Sequence, residues 1–201
     1  MDRRPPFVPI VLPPDAPALR TERLRLRPPT PADAPAVQQL AGDALIASTT
    51  ANIPHPYEDG LAEAWIASCA ESYARTEAVT LAIFLAGEER LVGAMGLHIS
   101  PEHARAELGY WIGVPYWNRG YASEAGMCVL HYGFETLGLE RIHAMHFARN
   151  PASGRVMQKI GMQHEGTLRR HILKDGCFED AVVYGALREA WLPRAGLPEG
   201  R

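Results

Sequence analysis

One stretch constrains the chain more than any other: Glu107–Phe134, ELGYWIGVPYWNRGYASEAGMCVLHYGF. It reads as a strand, a short loop carrying Arg119 and Gly120, and then a helix. The first N–H groups of a helix have no intrahelical partner, and the helix dipole adds partial positive charge there. Such an end is a ready anion site, and Gly120, with no side chain, lets an anion come close to the main chain. The loop has no G-K-[ST] and no G-x-G-x-x-G, which argues against a triphosphate loop and a dinucleotide fingerprint. What remains is a shorter nest of backbone amides over Trp117–Ala122, or an ordinary strand–turn–helix with a glycine in it.

The rest of the chain supplies the frame. Residues 1–20 form a Pro-rich arm, extended and either packed on the surface or loose. Thr21–Arg27 alternates as a strand, and Thr30-Pro31-Ala32-Asp33 has the cap, proline and acid of a helix start, with a stop near Gly42. A proline-punctuated loop, 51–59, precedes a second helix over about 60–75. Strands follow at 79–85, 91–99 and 105–113, and the helix after the loop covers about 122–137. A strand at 141–148 leads into a helix from Asn150 to about Ile160 that stops at Gly161. Two long strands, 162–173 and 178–187, flank Asp175-Gly176, a hairpin signal. Trp191 is expected to cover a sheet edge. This order predicts one α/β domain, 21–191, between the arm and a polar tail, 192–201, with a mixed sheet and helices on both faces.

Composition narrows the function. A formal net charge of -3 gives no basic field for nucleic acid. No apolar run reaches the roughly 18 residues of a membrane span, and six prolines in the first 17 residues make the N-terminus a poor signal peptide. Cys69, Cys128 and Cys177 lack C-x-x-C spacing and read as free thiols of a reducing cytoplasm. The histidines are scattered. His143 and His146 point to opposite faces of one strand, so no metal is expected. Arg169-Arg170-His171 reads as a solvated face, or as a contact for acidic groups of a substrate.

A second segment, RNPASGRVMQKIGMQHEG at 149–166, lies one strand after the loop. Together the two closely resemble the GNAT N-acetyltransferase superfamily, and its RimJ/RimL-type branch in particular. The family's cofactor loop is [QR]-x-x-G-x-[GA]. Gly120 and Ala122 match it, whereas Trp117 stands where Gln or Arg is usual. Asn150, Ser153, Val156, Lys159, Gly161 and Met162 meet the second motif, N-x-x-S-x-x-V-x-x-K-x-G-[FM]. LRTERLRLRP, AELGYW and KDGCFEDAVVYGAL resemble the branch's opening strand, cofactor strand and closing hairpin, so the likeness covers about residues 19–191.

The resemblance implies a three-layer fold whose central, mostly antiparallel, twisted sheet of about seven strands splays at the cofactor strand. It implies acetyl-CoA as cosubstrate and a primary amine as acceptor, either a protein N-terminus or a small molecule. The pyrophosphate would sit on the amides of Asn118, Arg119, Gly120, Tyr121, Ala122 and Ser123, and the pantetheine arm along the backbone of Tyr110, Trp111 and Ile112. Gly109 and Gly113 suggest a bulge that opens the slot. Glu107 would take the ammonium proton, or else be an ordinary solvated or salt-bridged strand residue, with Glu102 and Glu135 as weaker choices. Strand alternation sets Glu107 opposite Tyr110 unless Gly109 bulges. Ser153 would donate to the leaving thiolate or cap its helix. Asn150 would bond the pantetheine arm, and Arg155 would reach a CoA phosphate or face solvent. The acceptor site would be built by the 51–59 loop, the following helix and the hairpin near Asp175-Gly176. A monomer or homodimer is expected, making direct transfer in a ternary complex. The rival readings are a non-catalytic acyl-CoA sensor and a transferase for longer acyl groups, against which Trp111 and Trp117 would narrow the slot.

Overall fold

The alternating runs assemble into one sheet. The computed structural model describes residues 10–195. In chain order the elements are β1 (Leu19–Arg20), β2 (Leu24–Arg27), α1 (Ala34–Ala41), α2 (Ala44–Thr49), α3 (Leu61–Ala74), β3 (Ala78–Leu85), β4 (Leu91–Ser100) and β5 (Arg105–Ile112). Then come α4 (Tyr121–His131), β6 (Arg141–Phe147), α5 (Pro151–Lys159), β7 (Gln163–Lys174), β8 (Cys177–Leu187) and α6 (Arg188–Ala195). The described strands form an 8-stranded sheet in the order β1-β2-β3-β4-β5-β6-β8-β7. All neighbours are antiparallel except β5 and β6.

The strand beyond the expected seven is β1, the end of the Pro-rich arm folded back on β2. Just before it, Ile10 and Leu12 are buried in the main core, and the Tyr73 hydroxyl donates to the carbonyls of Pro13 and Asp15. Residues 1–9 of the arm and 196–201 of the tail lie outside the described residues. Trp191 is not an edge cover. It sits in α6, packs its ring 5.3 Å from that of Phe134, and donates its indole N–H to the Ile160 carbonyl at 2.7 Å. An indole buried to this degree usually finds such a partner.

Strand alternation sends two cores to the two faces. Leu81 and Ile83 of β3 face α4, while Ala82 and Phe84 face α1 and α3. Arg27 and Asp33 fix the entry to α1. The guanidinium donates twice to the buried carboxylate at 2.8 Å, and the Thr30 amide and hydroxyl donate to the same group. Burial alone would raise the Asp33 carboxyl, but these donors outweigh it and hold it below the ordinary carboxylate range.

Candidate active site

The parallel pair β5 and β6 makes the opening. Only Arg105, Ala106 and Glu107 pair, with Arg141, Ile142 and His143. Beyond that point both strands continue, β5 to Ile112 and β6 to Phe147, without pairing each other. The sheet therefore splays, with Glu107 at the vertex. The expected cause is absent. The β4–β5 ladder runs in unbroken register from Gly93↔Ile112 to Ser100↔Arg105, with Gly109 opposite Gly96. The β4–β5 ladder carries no bulge, and the splay arises where β6 departs from β5 toward α5.

The unbroken ladder also decides which backbone groups are open. The Gly113 amide donates to the Val92 carbonyl. By antiparallel alternation Trp111, two residues earlier, also points its backbone at β4, whereas Tyr110 and Ile112 point theirs into the splay. Trp111 therefore lends no backbone to the slot. The Trp117 indole N–H donates to the Ile112 carbonyl at 2.5 Å, closing the far end of that edge.

Two clefts meet at this opening. The first, of about 320 Å³, is lined by Tyr110, Trp111, Ile112, Asn118, Gly120, Tyr121, Ala122, Ser123, Asn150, Ser153 and Arg155, together with Thr49, Thr50 and Trp117. Of the residues expected around the cofactor, Arg119 alone stays out. It is exposed, and its carbonyl accepts from Arg23. Gly120 has φ +81 and caps α4, so the first free amides of the helix open onto this cleft. Arg23, which the motifs do not mark, lies alongside. Its guanidinium is bound to Glu124 at 2.5 Å, and a Cβ on Gly120 would come within 3.4 Å of it. Glu124 would be raised by burial, yet the Thr21 hydroxyl and the Arg23 amide and guanidinium hold it low.

The second cleft, about 870 Å³, lies on the opposite face. Its floor carries Gly96, His98, Glu107, Gly109 and Trp111, and its walls come from the 51–57 loop, α3, Phe147 and Ile172. The hairpin thus contributes β7 rather than its tip. Asp175 and Gly176 do not line the cleft, but Lys174 holds the loop by donating to the Ile53 carbonyl. Glu102 and Glu135 line neither cleft. The two clefts share Thr49, Thr50, Tyr110, Trp111 and Ser153. Glu107 and Tyr110 do sit on opposite faces of β5, as alternation requires, and both border the second cleft, whereas only Tyr110 also borders the first.

The Tyr110 hydroxyl lies 2.6 Å from Ser153 Oγ and 3.1 Å from the Ser153 carbonyl, so its single proton can go to either, and Ser153 keeps its own when Tyr110 donates to Oγ. Burial pushes the Tyr110 phenol up to about 12, so it stays neutral. The cap of α5 is Asn150, whose Oδ1 accepts from the Ser153 amide, so the Ser153 hydroxyl is free of capping. Glu107 is partly exposed, with His143 Nε2 3.9 Å from its carboxylate. None of Cys69, Cys128 and Cys177 lines either cleft, and burial pushes the Cys69 thiol up to about 11. Among the described residues no cluster of His, Cys, Asp or Glu is arranged to hold a metal, and no helix is long and apolar enough to cross a membrane.

The comparisons bear on the family and the fold. A family model described as "Acetyltransferase (GNAT) domain" matches residues 23–163. "Uncharacterized N-acetyltransferase YoaA" of Bacillus subtilis (strain 168) is 34% identical over 174 residues, 86% of this chain and 97% of the relative. "Putative ribosomal N-acetyltransferase YdaF" of the same organism is 31% identical over 102 residues, 50% of this chain and 56% of the relative. A GNAT-family acetyltransferase from Bacillus anthracis superposes with TM-score 0.76 at 30% identity, covering 86% of this chain and 99% of that one. RimL, a ribosomal L7/L12 acetyltransferase solved with coenzyme A, shares the fold with TM-score 0.79 at 18% identity, covering 85% of this chain and 98% of its own. Both motif segments and the splayed strand pair lie within or across the matched span, and the chain is an acyltransferase that belongs to the GNAT acetyltransferase family.

Proposed function

We propose that the protein transfers acetyl from acetyl-CoA to a primary amine by direct attack, with both substrates bound at once. The observation that carries this reading is the meeting of the two clefts at Tyr110 and Ser153, with Glu107 in the floor of the second. The amides that open α4 would hold the pyrophosphate, and Arg155 would face a phosphate from α5. The backbone of Tyr110 and the N–H of Ile112 would pair with the pantetheine arm as an added strand does. One of these N–H groups would lie against the thioester oxygen and stabilise charge developing there.

An alkylammonium, with a pKa of about 10.4, must lose a proton before it can attack. Glu107, on the acceptor side, would take that proton directly or through water. Ser153 would hydrogen-bond the departing thiolate on the other side, with the neutral Tyr110 hydroxyl behind it. Trp111 and Trp117 line the cofactor cleft and favour acetyl over a longer acyl group. The absence of a cysteine from both linings favours direct transfer over a thioester on the enzyme.

The test is calorimetric titration with acetyl-CoA, followed by mass spectrometry of an amine panel incubated with both. The reading predicts saturable acetyl-CoA binding and an N-acetylated product. Tight binding with no acetylated amine would favour the sensor reading, and no binding would sink both.

A further inference from the structure

The acceptor cleft has an uneven chemistry. Glu107 is the only side chain of fixed charge in its lining, where His98 and His146 are the other groups that could carry one. Two cations close to the cleft are engaged with other groups. Lys174 holds the Ile53 carbonyl, and Arg149 binds Glu179 and the Ser48 carbonyl while covering the Phe147 ring at 4.6 Å. Against that one carboxylate stand five aromatic rings: Tyr57, Trp65, Tyr110, Trp111 and Phe147. An anionic group on the acceptor would be taken out of water with no partner, which is costly. A second ammonium would lack a second carboxylate.

The floor gives the shape. Ala94↔Trp111, Gly96↔Gly109 and His98↔Glu107 are direct cross-strand pairs on one face, so Gly109 lies between the indole and the carboxylate. Gly109 has an ordinary strand conformation, and a Cβ built on it meets nothing nearer than the His98 ring at 4.0 Å. Its missing side chain therefore leaves space in the cleft rather than relieving the backbone. Along a strand Gly109 is about 6.7 Å from Glu107, the reach of a flat ring with a short two-carbon arm ending in an amine.

We infer that the acceptor is an amine beside an aromatic or flat apolar body, without an anionic group, whose ring lies over Gly109 between Trp111 and Trp65 while its amine meets Glu107. This rests on the transferase reading for its chemistry and names the substrate class of the same site. A free arylalkylamine and a peptide with an aromatic first residue share this chemistry, and the test separates them.

The probes are 2-phenylethylamine, a peptide beginning with Phe, spermidine and a peptide beginning with Asp, each assayed for kcat/KM with acetyl-CoA. Either aromatic probe is expected to exceed spermidine and the Asp peptide by about tenfold or more, and the better of the two identifies the source. Gly109→Leu fills the floor and should raise KM for the aromatic probe about tenfold, leaving the acetyl-CoA Kd within about twofold. Trp65→Ala should lower kcat/KM for the aromatic probe several-fold more than for spermidine. Preference for spermidine or the Asp peptide, or an unchanged aromatic KM in both variants, overturns the inference. Quenching of tryptophan fluorescence by 2-phenylethylamine decides the matter if the transferase reading itself fails: saturable quenching, lost in Gly109→Leu, supports the inference, and none overturns it.

Discussion

Removal of the Ser153 hydroxyl tests the leaving-group side of the site. A thiol has an ordinary pKa of about 8.5, so the departing thiolate needs a hydrogen bond more than a full proton. A hydrogen bond to a charged group contributes about 1.5–3 kcal/mol, which at 1.36 kcal/mol per decade is about 10- to 150-fold in rate. Ser153→Ala should lower kcat by that amount, with KM for the amine little changed, because the hydroxyl is assigned to the departing thiolate and not to the amine. Tyr110→Phe removes the partner 2.6 Å away and should cost less, about fivefold, the worth of one neutral hydrogen bond. Since the two hydroxyls are in contact, the double variant should lose less than the product of the single losses. The Tyr110 phenol, raised to about 12 by burial, does not titrate in the working range. Tyr110→Phe should therefore leave the shape of the pH–rate profile below pH ~10 unchanged. The assay is continuous thiol release at saturating acetyl-CoA, with melting curves to show that each variant is folded. Wild-type kcat in Ser153→Ala, or fully multiplicative losses in the double variant, would refute the assignment.

Glu107→Gln keeps the shape of the vertex but removes the proton acceptor. It should lower kcat by about 10²- to 10⁴-fold with no change in the acetyl-CoA Kd measured by calorimetry. Gly120→Ala forces a Cβ into φ +81, at about 1–2 kcal/mol. It should weaken acetyl-CoA binding in the same titration while leaving the amine KM alone. Asp33→Asn leaves the Arg27 guanidinium without its buried partner and should destabilise the fold by about 3 kcal/mol in urea at pH 7. Because the native Asp33 carboxyl is depressed, its contribution is complete above the unfolded value of about 3.9 and fades as pH falls through the lower native one. The stability gap between wild type and Asp33→Asn should therefore shrink below about pH 4.

Local patterns carried the frame. Alternation marked the strand at Leu24–Arg27, six further strands form where they were expected, and Asp175-Gly176 forms the expected tight hairpin with φ 50 and 79. Thr30 to Asp33 starts α1 as its capping residues suggest. The missing pieces were those that depend on distant partners. Leu19–Arg20 is a strand only because β2 is beside it, and Ala44–Thr49 is too short to show a helical period. Tyr110 and Ser153 are 43 residues apart, and Arg23 reaches Arg119 across 96, so neither pairing has a local signal. Gly109 carried a signal that pointed the wrong way. A strand glycine suggests a bulge, but here its backbone is regular and its missing side chain leaves room in a cleft. Trp191 looked like a surface cover because it follows the last strand, yet the turn into α6 brings it onto Phe134.

The most direct test of the two-cleft account is the initial rate of CoA release with acetyl-CoA and amine both varied. Direct transfer where the two clefts meet predicts release that depends on amine and intersecting double-reciprocal lines, with N-acetylated amine equal to the CoA released. Parallel lines, or release indifferent to the amine, would contradict it.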